Sequence, residues 1–132
     1  MMAGIKGKDT APEMAVRQFL HREGFRYRLH ARDLPGRPDI LLPRYRTAVQ
    51  VHGCFWHQHP GCRYAYRPSS NSAFWDKKLA GNRQRDERNE EKLHALGWRV
   101  CTVWECEVGD PRRMKRLVRE ISRGYNAGDS GT

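Results

Sequence analysis

The order in which the hydrophobic period changes along the chain leaves few folds open to it. At Thr10 the pattern T-x-x-E, Thr10 and Glu13, reads as a capping box with Pro12 in the first turn. Val16, Phe19 and Leu20 follow at helical spacing, and Gly24 stops the helix. Phe25, Tyr27 and Leu29 then alternate with Arg26, Arg28 and His30, the period of a half-buried strand with a basic outer face. Leu34-Pro35-Gly36-Arg37-Pro38 is a turn by composition and delivers Asp39 onto the apolar run Ile40 to Leu42, which ends at Pro43. A further strand is expected across Thr47 to His52. Residues 53–71 are irregular, rich in Gly, Pro, Ser, Cys and His.

Capped at Asn71 or Ser72, a highly charged helix runs from near Phe74 to Leu96 and is stopped by Gly97. Its interleaved charges read as a solvated face with i,i+4 pairs. Trp98 to Trp104 is rich in strand formers, and Met114, Leu117, Val118 and Ile121 mark a last amphipathic helix. Helix, three strands, helix, strand, helix implies an α/β sandwich layered around a mixed sheet. A single domain is expected over residues 1–132, with a basic arm at 1–9 and a flexible tail at 124–132.

Composition narrows the partner. The 132 residues carry 25 Lys+Arg against 15 Asp+Glu, a formal charge of +10 with a pI near 10.0. Such a balance points to a polyanion, most simply nucleic acid. No run approaches the ~18 apolar residues of a membrane span, and no signal-peptide core opens the chain. Neither a secreted nor a membrane protein is expected, and the expected location is the cytoplasm, at the nucleoid.

Three groups of residues can carry chemistry. Asp39 starts a strand after a Pro-Gly-Arg-Pro turn, Glu13 sits on the opening helix, and His52 ends the next strand. A hairpin brings Asp39 beside residues 50–52, where hard carboxylate and carbonyl oxygens suit Mg²⁺. Asp39 also reads as a turn cap, and Glu13 as the capping-box residue. Next, Cys54-x4-His59-x2-Cys62 supplies three zinc ligands that Cys106 can complete, with His57 and Cys101 as rivals. Strand alternation sets Cys101 and Cys106 on opposite faces if the strand continues. Finally, Phe55 and Trp56 adjoin in the polar loop, and Phe74 and Trp75 start the long helix. Aromatics among basic residues can stack on or between bases. Core burial is the expected fate of Phe74, while Trp56 and Trp75 suit either role.

PGRPD at 35–39, VHGCFWH at 51–57, FWDKKLAGN at 74–82 and GWRVCTVWEC at 97–106 together resemble the very short patch repair (Vsr) endonucleases, from about residue 4 to 122. The resemblance implies a restriction-endonuclease-like core, a mixed β-sheet flanked by helices, with a structural zinc loop. It also implies a DNA nickase acting at T:G mismatches left by 5-methylcytosine deamination. Asp39 matches the family's magnesium-binding aspartate, His57 its catalytic histidine, Glu13 the helix glutamate that orients that histidine, and His52 a second active-site histidine. Cys54, His59, Cys62 and Cys106 match the structural zinc set. Phe55, Trp56 and Trp75 match intercalating aromatics, Lys78 and Asn82 match groups that contact the mismatch, and Met2 aligns with an arm residue that inserts into the duplex. The chain departs from the pattern at Val51, where the best-known members have Thr; a backbone carbonyl ligand to Mg²⁺ survives that change. Pro60-Gly61 alters the loop length, and the arm before Glu13 is short. The implied partner is double-stranded DNA, bound by a monomer, with repair proteins as further partners left unspecified. A nickase that ignores mismatches, and a zinc-containing DNA-binding module without activity, are the rival readings.

Overall fold

The computed structural model describes residues 10–62 and 68–124. The arm at 1–9 with Met2, and residues 125–132 of the expected tail, lie outside the described residues. Helix α1, Ala11–Arg22, begins where Thr10 Oγ1 accepts the Glu13 N–H at 3.4 Å. The Glu13 carboxylate itself turns inward, and that residue is 2% exposed. Gly24, at φ +94°, reverses the chain after the helix, a conformation that costs glycine little.

Strands β1 (Arg28–Leu29), β2 (Ile40–Leu42), β3 (Thr47–His52) and β4 (Arg99–Trp104) form one sheet in that spatial order. The first two pairings are antiparallel and β3–β4 is parallel. A parallel neighbour needs a crossover, and helix α2, Ser72–Ala95, supplies it. The last helix, α3, covers Pro111–Ser122, with Asp110 accepting the Arg112 N–H at its start. The mixed sheet with three helices therefore matches the order expected from the sequence. β1 is shorter than the alternation at 25–30 suggested: His30 adopts φ +48°, which ends the extended run.

Burial sorts the two faces of the sheet. Ile40, Leu42, Val49 and Val103 meet Val16 and Leu20 of α1 and Met114, Leu117 and Ile121 of α3. Each such side chain contributes roughly 1.5–3 kcal/mol on leaving water. Leu41 and Ala48 point the other way, toward Leu93 of α2. Cys101 lies in the larger core, where burial pushes its thiol up to about 11 and keeps it a small apolar filler. β4 ends the sheet, and α3 engages its backbone: the buried Arg113 donates from Nη2 to the Thr102 carbonyl at 2.9 Å. Its Nε and Nη1 reach Glu107 and Glu120 at 3.4 and 3.1 Å, so the buried charge is paired. Among the described residues, no helix is long and apolar enough to cross a membrane.

Candidate active site and metal centre

The two sheet faces differ because α2 does not cover its face with apolar residues alone. Trp75, Leu79, Asn82, Asp86, Asn89 and Leu93 are spaced 4, 3, 4, 3 and 4 residues apart, so they form one stripe on the helix. Leu79 and Leu93 are buried, and the three polar residues between them are half-buried. The sheet beneath carries Asp39 and His52, so the polar part of the stripe roofs a pocket of about 300 Å³ lined by Asp39, Val51, His52, His57, Asp86 and Asn89.

Close backbone approach sets the position of Asp39. Gly36 has φ +73°, and a Cβ there would lie 2.9 Å from the Asn89 Cβ, so the Pro-Gly-Arg-Pro turn can nestle under α2 only with glycine. The Ala31 and His30 N–H groups donate to the Pro38 and Asp39 carbonyls at 3.1 and 3.0 Å and fix the turn. Asp39 Oδ2 accepts the Val51 N–H at 2.8 Å. In an antiparallel pair a residue directs its N–H and C=O to the same neighbouring strand, so the Val51 carbonyl faces this edge too. Burial pushes the Asp39 carboxyl up to about 6; the Val51 hydrogen bond opposes this, and nearby Glu13 adds to it. A buried carboxylate beside a second carboxylate and a carbonyl is a place where a hard cation relieves electrostatic cost.

His57 lies across the pocket, and its Nδ1 pairs with Asp86 Oδ2 at 2.5 Å. The carboxylate that orients His57 is thus Asp86. Glu13, which the family resemblance matched to that role, has its carboxylate on His30 Nε2 at 2.7 Å and Arg17 Nη1 at 3.4 Å. The reason is geometric: Glu13 points from α1, while His57 hangs from the loop under α2. With the Nδ1 proton donated to Asp86, the His57 Nε2 lone pair is available to accept a proton. His52 stacks on His57 with ring centroids 3.9 Å apart. Burial, and then the His57 charge, lower the His52 pKa to about 4, so it is neutral at pH 7.

The same loop builds a second cluster. Ligand atoms of Cys54, His59, Cys62 and Cys106 all lie within 4.8 Å of one another. His59 Nδ1 is 3.7 Å from Cys54 Sγ and 3.4 Å from Cys106 Sγ. A zinc tetrahedron with Zn–S near 2.3 Å and Zn–N near 2.05 Å requires S···N distances of about 3.6 Å. The donor set therefore fits zinc. The rivals separate cleanly: His57 belongs to the Asp86 pair, and Cys101 to the core. The loop is held by its own backbone, with the His59 and Cys62 N–H groups donating to the Cys54 and His59 carbonyls at 3.0 and 3.2 Å. The Cys54 N–H donates to Glu105 Oε1 at 3.3 Å, and the His59 ring stacks on Trp104 at 4.2 Å. All four cysteines are free of disulfides.

Phe55, Trp56 and Trp75 form one aromatic cluster, with centroid distances of 5.0, 5.5 and 5.9 Å around the triangle. None of the three is fully buried. Phe74, expected in the core, is instead 59% exposed and packs edge-on against Trp75 at 5.3 Å. The first turn of α2, residues 72–74, is exposed throughout, so Phe74 enters no core. Asn82 donates from Nδ2 to the Trp56 carbonyl at 3.0 Å, which ties the loop to α2, and Lys78 is exposed one turn away.

Sequence reasoning missed Asp86, because the charges of α2 were read together as a solvated face. The signal was the stripe itself, in which an aspartate stands at the helical spacing set by Leu79 and Leu93.

A basic α/β chain with a carboxylate–histidine pocket and an adjacent aromatic cluster has the parts of a nuclease. Comparison with known proteins agrees. The family model described as DNA mismatch endonuclease Vsr matches residues 1–63. The Type II nicking enzyme V.XorIIP of Xanthomonas oryzae pv. oryzae is 48% identical over 121 residues, covering 92% of this chain and 88% of its own. The Type II nicking enzyme V.NmeAIP of Neisseria meningitidis is 45% identical over 125 residues, covering 92% and 89%. The DNA mismatch endonuclease Vsr of Escherichia coli is 41% identical over 107 residues, covering 81% and 68%. The chain is an endonuclease, and it belongs to the Vsr family.

Proposed function

We propose that this chain nicks one strand of duplex DNA at a T:G mismatch by Mg²⁺-dependent hydrolysis of a phosphodiester. The observation that carries the reading is the 2.5 Å His57–Asp86 pair facing Asp39 across one pocket, with Phe55 and Trp56 immediately before His57 in the chain. Asp39 and the Val51 carbonyl are the groups that would hold Mg²⁺, which supplies charge stabilisation on the scissile phosphate and its leaving oxygen. His57 Nε2 takes the proton of the attacking water, and Asp86 holds the ring in the tautomer that can do so. Neutral His52, stacked on His57, leaves the imidazole room to charge without a neighbouring cation. Glu13, held by His30 and Arg17, adds negative potential next to Asp39. Cys54, His59, Cys62 and Cys106 would hold a structural zinc that keeps the loop folded and closes all four positions with protein.

The aromatic cluster serves recognition. Rings wedged into a base step next to the scissile phosphate unstack it, and a T:G wobble deforms at lower cost than a matched pair. Lys78 and Asn82 stand beside the rings for contacts to the opened step, and Met2 would act from the arm. The +10 charge adds affinity that does not depend on sequence. A second reading is a nickase indifferent to mismatches; the relatives at 48% and 45% identity are named nicking enzymes, which fits either reading. End-mapped cleavage of T:G, T:A and C:G duplexes in Mg²⁺ tests both. Cleavage confined to T:G supports the first reading; equal cleavage of matched duplex replaces it with the second.

A further inference from the structure

Among the polar side chains that line the pocket and have no role above, the one on the sheet is Gln50. Gln50 lies in the middle of β3 and is 6% exposed. One step beyond the Ile40–Val49 pair, the antiparallel register sets Gln50 opposite Asp39. Opposite residues in an antiparallel pair project from the same face, and residues two apart do as well, so Asp39, Gln50 and His52 share the face beneath α2. Gln50 lines the same 300 Å³ pocket as Asp39 and Val51. Among the described residues, no hydrogen bond engages its amide. A central strand position ordinarily holds an apolar β-former, whereas this amide meets no partner among the described residues and, not being sealed off, opens onto the pocket where it can bond whatever enters.

We propose that the Gln50 side-chain carbonyl is a further protein ligand, directly or through one water, of the divalent cation held by Asp39 and the Val51 carbonyl. The inference rests on the metal site proposed above. Mg²⁺ and Mn²⁺ take oxygen donors and usually keep several waters. Asp39 has one carboxylate oxygen engaged by the Val51 N–H, which leaves the protein few oxygens for an octahedral ion. The Gln50 amide adds a neutral oxygen from the same sheet face, and because it is unengaged it can turn that oxygen toward the ion at no cost in lost hydrogen bonds.

The test is a Mn²⁺ titration of the full, zinc-loaded chain without DNA, followed by electron paramagnetic resonance of free Mn²⁺, with nicking in varied Mg²⁺ as a second readout. Gln50→Leu should weaken Mn²⁺ about tenfold and raise the half-saturating Mg²⁺ by a similar factor, with the maximal rate recovered at high Mg²⁺. Gln50→Glu adds a charged oxygen and should tighten Mn²⁺ several-fold, a gain that damage to the fold would not produce. Wild-type Mn²⁺ affinity in both variants, while Asp39→Asn loses binding, overturns the Gln50 assignment and leaves the metal site standing. Unchanged binding in Asp39→Asn takes the ion off Asp39 and overturns both. Weaker DNA binding in Gln50→Leu with unchanged Mn²⁺ affinity makes Gln50 a phosphate contact and also overturns it.

Discussion

One short loop, residues 53–62, feeds two clusters of opposite character. Cys54, His59 and Cys62 turn away from the sheet pocket to meet Cys106, and their soft donors stand at the separations of a closed tetrahedron. His57, between them in sequence, turns back to Asp86 and faces Asp39 and the Val51 backbone across an open pocket rich in oxygen donors. Soft, closed donors hold a metal for structure; hard donors with solvent access leave places for water and phosphate. The loop can serve both because the backbone at Gln58 enters the left-handed region, φ +48°, which redirects the chain between His57 and His59.

The closed cluster should give the largest effect when broken. Cys106→Ala removes one of four ligands, and metal-coupled folding energies are on the order of 10 kcal/mol. The variant should lose zinc and unfold or melt far below wild type. Metal analysis of protein purified without added zinc, alongside a thermal melt, checks this, and a full zinc complement in the variant would contradict a four-ligand site.

At the open pocket the expected losses are in rate. His57→Ala should lower single-turnover nicking at least ~10²-fold while DNA affinity and zinc content hold. Asp86→Asn keeps the shape but no longer favours the same tautomer, so it should also lose rate. Equal rates in wild type and Asp86→Asn at every pH would return the orienting role to another group.

A smaller effect separates the pocket from the cluster by pH. In zinc-loaded protein without Mg²⁺, burial raises Asp39 from 3.8 to about 6. A group whose folded pKa is raised contributes stability that is complete below its unfolded pKa and is lost as pH rises through about 6. Asp39→Asn cannot ionise, so it should be more stable than wild type above pH 6, by about 3 kcal/mol, with the gap closing near pH 3.5. Urea denaturation at the two pH values checks the sign. An equal gap at both would mean that the carboxyl is not desolvated in the folded state.

The smallest change is expected from the aromatic cluster, which touches neither metal set. Trp56→Ala should lose several-fold in affinity for mismatched duplex while changing matched duplex little. A lower melting temperature with unchanged mismatch preference would make Trp56 a packing residue instead.

Much of the fold was legible because it depends on short-range pattern. The period-3.6 and period-2 runs placed α1, β2, β3, β4 and α3, and Gly24 and Gly97 marked real helix ends. The Cys/His cluster was legible for a similar reason: Cys54, His59 and Cys62 are close in sequence, and few residue types can gather soft donors. Phe74 was misread because aromatic character suggests burial, whereas burial depends on whether anything lies opposite.

What the sequence by itself determined, then, were the elements, their order, and the chemical types concentrated at 52–62. Partner choice across the sheet was decided by the tertiary structure. Whether Glu13 or Asp86 meets His57 depends on which helix covers which face, and the parallel β3–β4 crossover puts α2, not α1, over that pocket. The role of Gln50 depends on the same register, since its position opposite Asp39 follows from strand pairing. Local periodicity records that a residue faces inward; only the packed sheet and helices set what it faces, because those contacts join residues far apart in the chain.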